Sequence, residues 1–132
     1  MQTYLEQYDT FIAPKLQELD LFLKTTEPPY AVGDIAICLD SSDEEIQSLL
    51  QKFGFGLPTK GVFLYLIQLV KSPICKLIQR EIACGMPPTY TIEEISYIYD
   101  LEIEKVQVAA QNIGKETFTK KDLVHLFSYI YC

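Results

Sequence analysis

The chain reads as an all-α protein built from two tandem copies of a tri-helical unit, packed as one compact body. Three observations predict this. Hydrophobic residues make up 48% of the 132, enough for a packed core rather than a disordered chain. Apolar residues recur at helical spacing, and no stretch alternates with period two between hairpin turns. The third is an internal repeat. With residues 28–70 set against 88–130, no gap is needed and eleven of 43 pairs are identical, where chance gives about three. The identities are Pro28/Pro88, Tyr30/Tyr90, Ile35/Ile95, Asp40/Asp100, Glu44/Glu104, Gln47/Gln107, Gln51/Gln111, Gly54/Gly114, Thr59/Thr119, Lys60/Lys120 and Leu66/Leu126.

The repeat extends backwards at an offset of 59, where Pro14 meets Pro73, Leu19 meets Ile78 and Leu23 meets Ile82. Each copy then begins with a proline-led amphipathic helix, and the division falls at 1–72 and 73–132. Leu5, Tyr8, Ile12, Leu16, Leu19 and Leu23 give the N-terminal stretch one apolar stripe, which caps the core or pairs with another chain. Pro14 opens or kinks a helix. Ser72-Pro73 reads as a cap and first helical residue, and Gly85 as the position past the end.

In the first copy Val32, Ile35, Ala36 and Leu39 share a helix face, and Asp40 stands where a tight turn needs φ > 0. Ser42 with Glu45 spells a capping box. The second helix is expected to bury Ile46, Leu49, Leu50 and Phe53 and to stop at Gly54. Thr59 starts a third helix whose run VFLYLIQLV is apolar on nearly every side, a pattern expected in the middle of a structure. The second copy repeats the plan with Ile92, Ile95, Ser96 and Tyr99, then Asp100, then Val106, Ala109, Ala110 and Ile113, then Gly114. Thr119 caps its third helix with Asp122, whereas Glu102 in place of Ser42 leaves the second helix without a good cap.

The stretch Ile35-Ala36-x-x-Leu39-Asp40-x-Ser42-x-x-Glu45-Ile46 resembles the helix-turn-helix core of bacterial regulators, sigma-factor-like and excisionase-like domains among them. Tyr90-Thr91-Ile92-Glu93-Glu94-Ile95 and Phe118-Thr119-Lys120-Lys121-Asp122-Leu123 are similar to the start and finish of excisionase-type units. The resemblance implies a non-catalytic, DNA-binding regulatory protein whose second helix reads bases in the major groove. Two such units on one chain suit a pseudo-symmetric operator. The chain departs from the family where the turn glycine is Asp in both copies. The Lys115-Glu116-Thr117 segment is also short for a wing.

Composition pulls the other way. Eighteen acids against eleven bases give −7, and Arg80 is the only arginine. Affinity for phosphate polymers comes mainly from neutralising phosphates, so this balance favours a basic or neutral partner. Spelling and duplication put transcription regulation through DNA first, and the alternative is an acidic protein-interaction adaptor that keeps the scaffold without touching DNA.

Candidate site residues follow from identities that folding does not require. Glu44, Gln47 and Gln51, with Glu104, Gln107 and Gln111, form a stripe on each second helix, roughly 140° from the buried face at 100° per residue. Gln pairs with adenine and Glu accepts from cytosine. The plain alternative is that both are good exposed helix formers. Residues 73–132 hold 8 acids and 6 bases against 10 and 5 in residues 1–72, so the second copy is the better DNA candidate. There Lys105, Lys115, Lys120 and Lys121 are expected to lie along one basic edge beside Gln107 and Gln111.

Ile37 and Tyr97 occupy an outward helix position. They are expected to be buried by one copy against the other, with an external protein interface or homodimer as the alternative. Tyr99, Tyr129 and Tyr131 lie near them in sequence.

Cys38, Cys75, Cys84 and Cys132 share no C-x-x-C spacing and have one His to join them, so buried free thiols are expected and no metal site. Cys38 and His125 align with bulky Ile98 and Tyr65, as packing positions do. No phosphate loop, nucleophile elbow or zincin motif occurs, so neither catalysis nor a cofactor is expected. The N-terminal residues lack a basic, apolar leader, and Gly61–Val70, the longest uncharged apolar run, is too short to span a bilayer. A cytoplasmic protein with no membrane partner is the expectation.

Overall fold

Helices dominate the computed structural model, which describes residues 2–132. In chain order they are α1 (Tyr4–Gln7), a π-helical segment (Tyr8–Ile12), α2 (Ala13–Thr25), α3 (Val32–Cys38), α4 (Asp43–Lys52), α5 (Lys60–Ile67), α6 (Pro73–Ala83), α7 (Ile92–Tyr99), α8 (Ile103–Ile113) and α9 (Lys120–Phe127). The π segment lies just before Pro14, and Ala13 N–H donates to Tyr8 O, five residues back. A proline ring crowds the carbonyl four residues earlier, and widening the turn relieves that clash. The residues form two compact units, Pro14–Gln79 and Met1–Ala13 with Arg80–Cys132. They are called here the Pro14 unit and the Arg80 unit.

In the Pro14 unit, α3 turns its Ile35, Ala36 and Cys38 inward, with Ile46 and Leu50 of α4 and Phe63, Leu66 and Ile67 of α5. Burial of each Ile, Leu or Phe side chain among these contributes about 1.5–3 kcal/mol relative to exposure. Phe22, Tyr30 and Phe63 meet with ring centroids 4.8–5.6 Å apart. Asp40 ends the α3 turn at φ +57, a left-handed conformation that Asp tolerates better than most side chains. Its carboxylate lies 3.2 Å from Lys15 Nζ, which also donates to Ile37 O at 3.4 Å. A cation at a helix C-terminus complements the exposed carbonyls.

The Arg80 unit is built on the same local geometry. Ile95 and Ile98 of α7 are buried with Val106, Ala109 and Ala110 of α8 and Leu123, Leu126 and Phe127 of α9. Asp100 stands at φ +54 and Gly114 at φ +79, matching Asp40 and Gly54 (φ +68) sixty residues earlier. Arg80 Nε donates to Ile98 O at 2.8 Å. Tyr4, Tyr8 and Tyr99 each approach the Phe127 ring, at 4.8, 5.2 and 5.0 Å.

Several expectations need correction. A short antiparallel pair, β1 (Tyr90–Thr91) with β2 (Thr117–Phe118), interrupts the helices. Two-residue strands are too brief to show alternation, and the pairing satisfies backbone groups just outside α7 and α9. In the Pro14 unit a single bond, Tyr30 N to Pro58 O at 2.9 Å, stands at the matching place, because proline has no N–H to return. The Ser42 box is half made. Ser42 Oγ accepts from Glu45 N at 3.1 Å, but the Glu45 carboxylate takes the Ser41 hydroxyl instead. Complete boxes occur at Thr91/Glu94 and Thr119/Asp122. Phe53, just past the end of α4 at Lys52, is exposed, and Leu49 is half-buried. In α5, Leu64 and Tyr65 also face solvent despite the apolar run. Among the cysteines, Cys38 and Cys75 are buried, Cys84 is half-buried and Cys132 is exposed.

Candidate acidic and polar interaction faces

Helix α8 presents the outward stripe of the Arg80 unit. Val106, Ala109 and Ala110 turn it inward, and the 3.6-residue period then leaves Glu104, Gln107 and Gln111 in solvent. Gln107 and Gln111 line a shallow groove of about 570 Å³ with Lys115, Glu116, Ile92 and Ala110. The equivalent stripe on α4, Glu44, Gln47 and Gln51, is likewise exposed, beside Asp43 in the same first turn. Three acids there complement the helix dipole, so the face is negative where a DNA reader is positive.

The four lysines do not share one groove. Lys115 does lie with Gln107 and Gln111, but its Nζ is 3.0 Å from Asp122 Oδ1. Asp122 is held by the α9 cap: its Oδ2 accepts from Thr119 N at 3.0 Å. That backbone hydrogen bond, then Lys115, keeps its carboxyl below the usual Asp range. Lys120 and Lys121 are exposed in the first turn of α9 with no acid within 4.0 Å among the described residues. Lys105 lines two other depressions. One, of about 280 Å³, also takes in Glu104, Val108, Tyr129 and Tyr131, and the other, of about 340 Å³, takes in Asp100, Glu102, Tyr4 and Tyr99.

Ile37 is 64% exposed and Tyr97 53%. Each sits on the solvent side of its helix, opposite the face that carries Ile35 or Ile95. Ile37 edges a depression of about 270 Å³ with Phe22, Thr26, Asp34 and Cys38.

Two features escaped the sequence reading. Glu81 is the first. Its Oε1 accepts from the Tyr90 hydroxyl while its Oε2 is buried without a partner among the described residues. Tyr90 is pushed above the ordinary tyrosine range by burial, then by that carboxylate. A single acid on an amphipathic helix carries no sequence signal of such a partner. The second is the Val108 groove. Its trace was an apolar residue at a solvent position of α8, readable from the helical period alone.

Among the described residues no group of three or more His, Cys, Asp or Glu side chains is placed to hold a metal ion. No helix among them is long and apolar enough to cross a membrane. No family model, no curated protein sequence and no solved structure matches the chain.

Proposed function

We propose that the chain is a non-catalytic regulatory protein, made of two tandem helix-turn-helix-like copies, that works as an acidic adaptor by contacting another protein. Support for the duplication comes from the matched positions. Left-handed Asp40 and Asp100, left-handed Gly54 and Gly114, and the cap pair Thr59 and Thr119 each recur at sixty residues. Matched pairs are also buried alike: Tyr30/Tyr90, Ile35/Ile95, Ile46/Val106, Leu66/Leu126 and Val70/Ile130. A local geometry set by so few residues is what a common ancestor of both copies would leave.

The adaptor reading rests on one observation. Lys115, which lines the groove with Gln107 and Gln111, is engaged by Asp122, while Glu104 stands on the same stripe. A face of this kind meets a phosphate backbone with a net repulsion that two glutamines do not offset.

A second reading, DNA contact through the Arg80 unit, is favoured by Lys120 and Lys121, which lack acidic partners among the described residues. Titration of random-sequence duplex at about 50 mM and about 200 mM salt separates the two readings. The adaptor reading expects no binding at the lower salt. Binding that falls steeply with salt, and weakens for Lys120→Glu/Lys121→Glu, overturns it in favour of DNA.

A further inference from the structure

We propose that the Arg80 unit holds a docking cleft for a basic amphipathic segment of another protein, at the start of α8 beside residues 129–131. The proposal rests on the protein-contact reading above and names its partner's chemistry. The floor is apolar: Val108 is 57% exposed and Tyr131 49%, Tyr129 lines the same depression, and the ring of His125 stands edge-on at 5.4 Å from Tyr129. Apolar side chains on the solvent face of a helix, beside exposed tyrosines, mark a contact surface more often than scattered single residues do.

Charge selects the occupant. The Val108 depression and its neighbour adjoin at Lys105, and between them they expose Asp100, Glu102 and Glu104. None of these three carboxylates has a base within 4.0 Å among the described residues. The Pro14 unit shows what the arrangement lacks. There the left-handed Asp40 is met by Lys15 at 3.2 Å, and Lys15 also reaches a carbonyl of α3. At Asp100 no lysine takes that place: the repeat position of Lys15 is Ile74, and the nearby Arg80 donates its Nε to Ile98 O at 2.8 Å. A lysine or arginine of the partner completes the pattern, while an apolar side chain one helical turn away enters the Val108–Tyr131 groove. A second copy of this chain is disfavoured as occupant: at −7 it brings acids to acids.

The test uses the full chain, which has no tryptophan, so a tryptophan on the probe is the sole indole reporter. The probe is a synthetic Leu/Lys amphipathic helix of about 14 residues carrying one Trp, with a Leu/Glu peptide of the same apolar pattern as its counterpart. Three variants are compared: Asp100→Asn/Glu102→Gln/Glu104→Gln, Val108→Ser/Tyr131→Ser, and a control, Asp43→Asn/Glu44→Gln/Glu45→Gln, which removes equal charge from α4. Asn at 100 keeps a residue that tolerates the left-handed backbone. The expected result is binding of the basic peptide that weakens about tenfold in each of the first two variants and less than about twofold in the control. Equal weakening in both charge variants overturns the proposal, because the attraction is then diffuse. Absence of binding, binding untouched by the first two variants, or equal binding of the acidic peptide overturns it as well. None of these outcomes bears on the duplex titration, so the cleft can fail while the adaptor reading stands.

Discussion

The left-handed aspartates offer a matched pair on which the energetics can be tested. Asp40 and Asp100 share φ values of +57 and +54, yet Asp40 has Lys15 at 3.2 Å and Asp100 has no such partner among the described residues. Replacing Asp by Gly removes a left-handed penalty of about 1–2 kcal/mol, less for Asp than for most residues. It also adds about 0.5–1 kcal/mol of backbone entropy to the unfolded chain. The net gain expected at Asp100→Gly is therefore about 0.5 kcal/mol. At Asp40→Gly the same gain is opposed by loss of the Lys15 pair. Its side chains are 27% and 55% exposed, so solvent screens it. Such a pair is worth about 0.2–1 kcal/mol. Asp100→Gly should stabilise, and Asp40→Gly should be neutral or destabilising. Urea unfolding measures the difference, since about 0.5 kcal/mol moves the midpoint by a few tenths molar at ordinary slopes. In about 1 M salt the two variants should converge as the ion pair is screened. A stabilisation at Asp40→Gly equal to or larger than that at Asp100→Gly in low salt would refute the reasoning.

Three further outcomes are expected. Glu102 makes no side-chain cap bond at the start of α8, so Glu102→Ser should stabilise by about 0.5–1 kcal/mol in thermal melts, whereas Thr91→Ala should cost about 1 kcal/mol by opening a complete box. Burial first, then neighbouring charge, raises Tyr4, Tyr8, Tyr90 and Tyr99 above the ordinary tyrosine value. The folded chain thus holds these protons more tightly than the unfolded one. The stability they contribute is complete below pH about 10 and lost as pH rises further, and the loss should be smaller in Tyr99→Phe when melts at pH about 8 and about 11 are compared. Cys132 is exposed while Cys38 and Cys75 are buried with thiols raised by desolvation. A thiol reagent at neutral pH should modify Cys132 promptly and the buried pair only after denaturant is added.

Helix class, turn positions and caps could be read from the residues because each depends on near neighbours in the chain. Asp40, Asp100, Gly54, Gly85 and Gly114 all take the left-handed backbone their spacing implied. Thr59 and Thr119 cap the helices they were expected to start, Thr119 with Asp122 as its partner. The outward stripes of α4 and α8 followed from the helical period and nothing else.

What that reasoning missed depends on distant residues meeting. No local rule sets Glu81 against Tyr90, pairs Lys115 with Asp122 across a strand, or sends Lys105 to a tyrosine-lined depression away from Gln107. The expected basic edge separated because Lys105 projects from the opposite side of the α8 solvent face and Lys115 lies beyond the helix end. The cores of Phe53 and of the α5 run were overestimated for a related reason. Apolar character says that a side chain gains by leaving water, but packing by other elements sets which of them can. Near-neighbour chemistry therefore specified the helices and their ends, and through-space contacts set the charge and the accessibility of the faces those helices offer.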